Sequence, residues 1–557
     1  MRLRFVIGIF ILIFLGLVAR LFYWQVIKGG TLSKQAELQY NGSTKIISPR
    51  GSIYASDNTW LAIQKANWLL FAEKPNLENP RIVADSISSI IEEENNDIYA
   101  LLTKPEIVWI PIKHKITGEQ KRQVEELNIK GLGFELEETR FYPEGSVSAQ
   151  LLGFVGKNNE GVDTGYFGLE GYYDISLKGK SGFIEREKDL KGVPFISGSM
   201  SEISSVSGAN LITHIDKRIT SIVDSKLKEA IEKYGAKEGS VIVMNPKNGA
   251  ILAMSSYPSY DPAKYNEYDG NLYKNPAISD TFEPGSVFKV LVMAAGLDDG
   301  AVSPDTICDI CSGPLKVDKY FIETWNRKYY PDSTMTDVIV HSDNVGMSFV
   351  AQKLGADKLY DYLDKFGIGK LTGIDLQGES NIPMRKRGTW NIVDLATASF
   401  GQGISTTPIQ IIRAVSAVAN DGVLVTPKVV EKIELEGWSQ NVDKKEEIRV
   451  IKKDTAEKMT EIMVQAAGHG EAQWTNLKGF SVAGKTGTAQ IPIAGHYDPD
   501  ATIASFIGFA PSNNPKFVML VTLKEPQSSQ WASETAAPLW YSIAKDLFAY
   551  FGIQPDN

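Results

Sequence analysis

Cysteine and histidine are scarce here, two and five respectively in 557 residues. Two cysteines cannot build a disulfide framework, and the histidines stand apart, with no HExxH, no paired CxxC and no EF-hand loop. No metal or cofactor is expected. Basic residues are not in excess: 58 Lys+Arg against 67 Asp+Glu give a net charge of -9. Nucleic acid or another polyanion is therefore not the main partner. Apolar residues make up 43% and charged residues 22%, so wholesale disorder is excluded, and the length suggests several domains. No internal repeat is present. Long hydrophobic runs are missing too, with one exception at the start.

Met1-Arg2-Leu3-Arg4 is a short basic tip, followed by FVIGIFILIFLGLV without a charge. Counted to Ile27, the stretch is about 23 residues, roughly 34 Å as a helix, enough to cross a bilayer. Arg20 can snorkel to the headgroups, and Phe22, Tyr23 and Trp24 suit the interfacial belt. A cleaved secretory signal is the competing reading, but Ala19 is followed by Arg-Leu-Phe-Tyr-Trp rather than a small-residue cleavage site. An uncleaved single-pass anchor in the cytoplasmic membrane is expected. Arg2 and Arg4 would stay inside and the bulk of the chain outside, where ATP is absent.

The spacing predicts a helix over 82–98, another opening at Thr117 and running to Leu127, and an extended segment from Gly131. Residues 197–208, SGSMSEISSVSG, are half serine and mark a boundary as a flexible linker or a polar hairpin. After it, Ile219, Ile222, Val223, Leu227, Ala230 and Ile231 predict an amphipathic helix over 216–234. Apolar runs at 240–244 and 250–254 around Asn245-Pro-Lys-Asn-Gly249 read as a hairpin. Three more strands are expected near 481–484, 503–508 and 517–521, with apolar helices at 287–297 and 407–419 between the two strand groups. A sheet covered by helices is the economical arrangement.

Three short motifs carry the chemistry. Ser286-Val-Phe-Lys289 follows a Pro-Gly break and opens an apolar helical run. Ser286 then lies at a helix start, with Lys289 one turn on along the same face. Burial of the helix all round would favour the neutral amine, and a neutral amine beside a hydroxyl makes an activated nucleophile. Alone the motif is weak: S-x-x-K recurs at Ser225–Lys228 and Ser542–Lys545. Ser342-Asp-Asn344 gives S-x-N, which also recurs, at Ser56, Ser439 and Ser512. Lys485-Thr486-Gly487 occurs once. The ordered set of the three is the specific signal, that of penicillin-recognising serine acyl-transferases. Residues 479–486 also match the Walker A pattern. The polar stretch before Gly479, and the glycine and proline after Thr486, oppose the strand and helix that a P-loop needs.

In these motifs the chain resembles the class B penicillin-binding proteins, monofunctional peptidoglycan D,D-transpeptidases. Nearly the whole length takes part: Arg50-Gly-Ser-Ile-Tyr54 with Leu61-Ala62, Arg140-Phe-Tyr-Pro143, Gly153-Phe-Val-Gly156 and Gly168-Leu-Glu-Gly171 match the family's pedestal. Residues 208–215, Gly401-Gln-Gly-Ile404 and Thr407-Pro408 match its transpeptidase domain. Phe282-Glu-Pro-Gly-Ser286, Lys485-Thr-Gly-Thr-Ala-Gln490, Thr372-Gly-Ile-Asp-Leu376 and residues 506–511 resemble the division branch more than the elongation branch. Ala55-Ser56 departs from the family's usual Asp-Arg type pair.

The resemblance implies an α+β fold. An antiparallel sheet sandwiched by helices (206–557) would stand on a mixed α/β pedestal (28–205), with a membrane anchor (5–27) and a cytoplasmic tip (1–4). With the chain ending soon after its last helix, the small C-terminal repeat modules of some relatives are expected to be absent. Ser286 would be the nucleophile and Lys289 its base. Ser342 and Asn344 would hold the lysine, relay a proton and bind the peptide amide. Lys485, Thr486 and Thr488 would take the terminal carboxylate, and Gly487 would leave room for the substrate strand. The backbone N–H groups of Ser286 and Thr488 would form an oxyanion hole. Implied partners are D-Ala-D-Ala stem peptides, β-lactams and a polytopic glycan polymerase of the division machinery. A β-lactamase would not need the pedestal, a β-lactam sensor would need further membrane helices, and a scaffold would not need all three motifs.

Cys308-Asp-Ile-Cys311 lacks a thioredoxin-like context and is expected to be a local disulfide or two quiet thiols. His341 is read as a loop histidine, since Lys289 already fills the role of base. His469 and His496 flank the Lys485 strand and carry no assigned role.

Overall fold

The computed structural model describes residues 2–32, 41–46, 48–105, 107–187, 200–442, 447–493 and 496–555. The chain divides into two compact units, Met1–Arg50 with Lys178–Gly208, and Gly51–Leu177 with Ala209–Asn557.

The first unit holds the N-terminal helix, Arg2–Phe22, continued by a π-helical turn, Tyr23–Ile27. Leu3–Ile27 is 25 residues long and contains an 18-residue window with a mean hydropathy of 2.7, long and apolar enough to cross a membrane. The unit also holds an antiparallel sheet in which Gly182–Glu187 pairs with both Asn41–Ile46 and Met200–Ile203. The serine-rich boundary is thus partly a strand rather than a linker; its residues 197–199 lie outside the described residues.

The second unit begins with a seven-stranded sheet built on the 14-residue strand Trp60–Glu73. Trp109–Ile116 and Leu132–Phe141 pair with it antiparallel. On its other side Ile53–Tyr54 pairs parallel with Asn210–Thr213, which pairs in turn with Val430–Leu435. The helix expected over 82–98 is two helices, Pro80–Ile91 and Asn95–Thr103. Glu92 takes a left-handed φ of 56° and ends the first, a stop that apolar spacing does not encode. The helix opening at Thr117 is present as Gly118–Glu126, closed by a reciprocal Thr117/Gln120 capping box. Arg140 and Glu170 form an ion pair of 2.6 Å with side chains 3% and 0% exposed. Arg140 Nη1 also donates to the Gly51 carbonyl at 2.7 Å.

The catalytic-type domain follows in chain order. Helix α1 (Lys217–Tyr234) is capped by Asp216, which accepts from the Arg218 and Ile219 N–H groups. Strands β1 (Glu238–Met244) and β2 (Ile251–Tyr257) form the expected hairpin. Helices α2 (Lys289–Asp299), α3 (Met335–Val340), α4 (Asn344–Leu354), α5 (Pro408–Ala419) and α6 (Lys453–His469) come next. Strands β3 (Ala483–Ile493), β4 (His496–Ala510) and β5 (Phe517–Lys524) and helix α7 (Ala536–Phe551) close the domain. The sheet runs β2-β1-β5-β4-β3, antiparallel throughout, with β3 at its edge.

Two-residue periodicity divides the sheet's side chains between two cores. Val241, Val243, Met519 and Val521 face α1 and α7, while Ile242, Met244, Val518 and Leu520 face the central helices. Helix α2 is buried from Lys289 to Gly296, as a helix apolar all round should be. Cys308 and Cys311, 2% and 0% exposed, are joined by a disulfide.

Candidate active site

Ser286 lies in a 3-10 turn, Gly285–Phe288, that leads into α2. Two hydrogen-bonded tethers fix this turn. Phe282 and Thr406 exchange N–H···O bonds of 2.9 Å, and the Gly285 N–H donates to the Gly401 carbonyl at 3.1 Å. Gly401 has φ +79°, and a Cβ there would sit 2.3 Å from the Gly285 oxygen, so only glycine fits. On the other side the turn meets β3: a Cβ on Gly487 would lie 2.7 Å from Val287 Cγ1 and 3.2 Å from the Pro284 oxygen. The absence of that side chain lets the strand lie directly on the serine turn.

Lys289 is completely buried. Its Nζ donates to the Ser342 carbonyl (2.6 Å), Asn344 Oδ1 (2.8 Å) and Ser342 Oγ (3.3 Å). None of these acceptors carries a charge. Burial pushes the amine down to about 7, with the neighbouring Lys485 charge adding to the effect and Asp343 and Glu471 opposing it. The Ser286 carbonyl accepts the Lys289 backbone N–H. The half-buried Ser286 hydroxyl has no hydrogen-bond partner among the described residues.

Ser342 sits between α3 and α4 at φ +54°. A left-handed serine costs of order 1–3 kcal/mol and persists only where its surroundings hold it. Here Asp343 caps α4 through the Val345 and Gly346 N–H groups at 2.7 and 3.2 Å, and His341 stacks on Tyr330 with ring centroids 4.0 Å apart. The conformation turns the Ser342 carbonyl and hydroxyl toward both lysines. Lys485 Nζ donates to Ser342 Oγ at 3.0 Å and to Thr486 Oγ1 at 3.2 Å. Burial also lowers the Lys485 amine, and Glu471 offsets that. The amide of Asn344 is oriented by its Nδ2 donating to the Glu323 carbonyl at 2.9 Å.

Thus Lys289, Ser342, Asn344 and Lys485 form one hydrogen-bonded cluster, with the Ser286 turn packed against the strand that carries Lys485 and Gly487. Thr486 and Thr488 part company. Thr486 is buried, and its hydroxyl donates to Glu471 Oε2 at 2.8 Å. Thr488 is half-exposed, and its Oγ1 accepts the Ala532 N–H at 3.1 Å. Glu471 had no signal in the sequence beyond a lone carboxylate after α6. Trp325 and Trp531, with ring centroids 5.1 Å apart, mark the rim: one is two residues from Glu323, the other adjoins Ala532. Glu283 and Tyr497 are a further pair, with Tyr497 Oη donating to Glu283 Oε2 at 3.0 Å. Burial raises the Glu283 carboxyl, and burial beside that carboxylate pushes the Tyr497 phenol up to about 12.

The penicillin binding protein transpeptidase domain matches residues 239–548, and the penicillin-binding protein dimerisation domain matches residues 45–213. The chain belongs to the class B penicillin-binding proteins. Among this family's members, stage V sporulation protein D of Bacillus subtilis strain 168 is 32% identical over 569 residues, spanning 100% of this chain and 86% of that protein. Peptidoglycan D,D-transpeptidase FtsI of Escherichia coli K12 is 26% identical, spanning 100% of this chain and 92% of that protein. Penicillin binding protein 3 of Mycobacterium tuberculosis, solved with aztreonam, superposes with a TM-score of 0.72 at 25% identity, over 92% of this chain and 98% of that one.

Proposed function

We propose that this class B penicillin-binding protein, a peptidoglycan D,D-transpeptidase, crosslinks stem peptides at the division septum. Its anchor would hold the catalytic domain outside the cytoplasmic membrane, with Arg2 and Arg4 inside, and the pedestal (28–205) would support the transpeptidase domain (206–557). The observation that carries the catalytic reading is the buried Lys289 amine. It is bonded only to uncharged acceptors, and the Ser342 hydroxyl links it to Lys485.

In this reading Ser286 Oγ attacks the penultimate D-alanine carbonyl and passes its proton to the neutral Lys289 amine. The carbonyl oxygen, now negative, is held by the Ser286 and Thr488 N–H groups, each worth about 2.7–4 kcal/mol in such sites. The peptide C–N bond then breaks, and the departing D-alanine takes a proton relayed through Ser342. Lys485 and the Thr488 hydroxyl bind the terminal carboxylate, with Thr486 positioning Lys485 and Glu471 balancing its charge. The donor peptide lies along the free edge of β3 as an added strand, and Asn344 bonds its amide. An amine from a second stem attacks the Ser286 ester, forms the crosslink and frees the serine. β-Lactams would acylate the same hydroxyl.

The test is labelling with a fluorescent β-lactam. Wild type should hold the label stably and Ser286→Ala should not label at all. Rapid release of the label would indicate a β-lactamase, and no label on the wild type a scaffold. The resemblance of residues 282–286, 372–376 and 485–490 to the division branch supports the septal role. Depletion should give filaments; rounded cells would point to elongation. A second reading, wall synthesis in spore formation, is favoured by the likeness to stage V sporulation protein D. It predicts normal growth and defective spores on depletion. A polytopic glycan polymerase is the membrane partner this reading implies.

A further inference from the structure

Three segments that the mechanism treats separately meet at one carboxylate outside the reacting cluster. Glu283 Oε1 accepts the Gly403 N–H at 3.0 Å. Tyr497 Oη donates to the same carboxylate at 3.0 and 3.3 Å. Gly403 belongs to the loop already bonded to the serine turn through Gly401 and Thr406. Tyr497 lies at the start of β4, opposite Pro492 of β3, just past the irregularity in register between Gln490 and Pro492. The ladder is regular through Gly487 and Thr488, where β3 meets the serine turn, and resumes past the irregularity at Pro492, so Tyr497 is tied to the strand that carries Thr488. Glu283 is three residues before Ser286, and Thr488 is four before Pro492. The Tyr497–Glu283 bond therefore joins the two arms whose backbone N–H groups must converge on one oxygen.

We propose that Glu283 is a positioning residue. Through Tyr497 and Gly403 it holds the Ser286 turn in place against the Thr488 strand, and so governs the acylation step rather than ligand binding. The assignment rests on the transpeptidase reading above. It is independent of the cluster of Lys289, Ser342, Asn344 and Lys485, because Glu283 bonds instead to Gly403 and Tyr497. A shift of a few tenths of an ångström of the Ser286 turn would move its oxyanion donor off the 2.7–3.1 Å range while leaving Lys485 and Thr488, which the β3–β4 ladder holds, in place.

Stopped-flow acylation of the full-length protein in detergent, with a fluorescent penicillin, separates the limiting acylation constant from the half-saturating concentration. Glu283→Ala should lower the limiting constant tenfold or more, with half-saturation unchanged within twofold. Glu283→Gln keeps an oxygen that can accept from both Gly403 and Tyr497 and should stay within threefold of wild type. Tyr497→Phe, which removes one surface hydroxyl and cannot unfold the domain, should lose several-fold, and adding it to Glu283→Ala should cost nothing more. The proposal is overturned by a wild-type rate in Glu283→Ala or Tyr497→Phe, by equal losses in the Gln and Ala variants, by a loss confined to half-saturation, or by multiplicative losses in the double variant. A wild type that takes no label would instead remove the transpeptidase reading, and this inference with it.

Discussion

Two buried cations in this molecule are treated in opposite ways. Arg140, in the N-terminal half of the second unit, meets the Glu170 carboxylate at 2.6 Å inside a pocket where both side chains are almost wholly enclosed. Lys289, in the catalytic domain, is just as enclosed but meets only a carbonyl, an amide oxygen and a hydroxyl. Opposite charges at such a distance lock two segments together. A buried amine with neutral acceptors and a second amine nearby gives up its proton instead. The first arrangement suits architecture and the second suits the reactivity proposed for Lys289. On the proposed mechanism, the fold withholds a counter-ion where a base is needed and supplies one where a pin is needed.

The sharpest break in this comparison comes from exchanging each cation for methionine. Lys289→Met should reduce β-lactam acylation by a thousandfold or more while stability moves by only about 1–3 kcal/mol, the cost of leaving neutral acceptors unpaired. Arg140→Met should do the reverse. It removes the counter-ion of a buried carboxylate and should cost about 3–5 kcal/mol in unfolding experiments, with acylation per folded molecule near wild type. Glu471→Gln is the finer test. It removes the carboxylate that favours the charged form of both lysines. The acid limb of the acylation profile should therefore move to lower pH by a fraction of a unit; a shift to higher pH would count against the assigned sign.

The contrast was only half legible in the sequence. The apolar run after Lys289 announced a buried helix, and therefore a buried amine, because such a run has no solvent face. The ordered motifs announced that Ser342 and Lys485 would join it. Nothing local announced the left-handed Ser342, since a serine at positive φ is imposed by its neighbours: the Asp343 cap and the His341–Tyr330 stack. Glu471 was unreadable for a similar reason. Its link to Thr486 depends on where α6 ends relative to β3, and helix ends of this kind carry no periodicity. The break at Glu92 splits a helix that apolar spacing joined. The sheet uniting Ile53–Tyr54, Asn210–Thr213 and Val430–Leu435 brings together segments hundreds of residues apart, which no local pattern can pair. Composition likewise left residues 197–208 open between linker and hairpin, and the pairing of Met200–Ile203 with the preceding strand Gly182–Glu187 shows a strand there.

The central claim is that Lys289 works as an uncharged amine because burial, and not a counter-ion, sets its proton affinity. The direct measurement is the pH dependence of the limiting acylation constant of the wild type from pH 5 to 9. The neutral amine is the reactive form and its pKa is depressed to about 7, so the constant should be level above about pH 8 and fall roughly tenfold per unit well below 7. A profile flat down to pH 5, or one still rising tenfold per unit at pH 9, would contradict it.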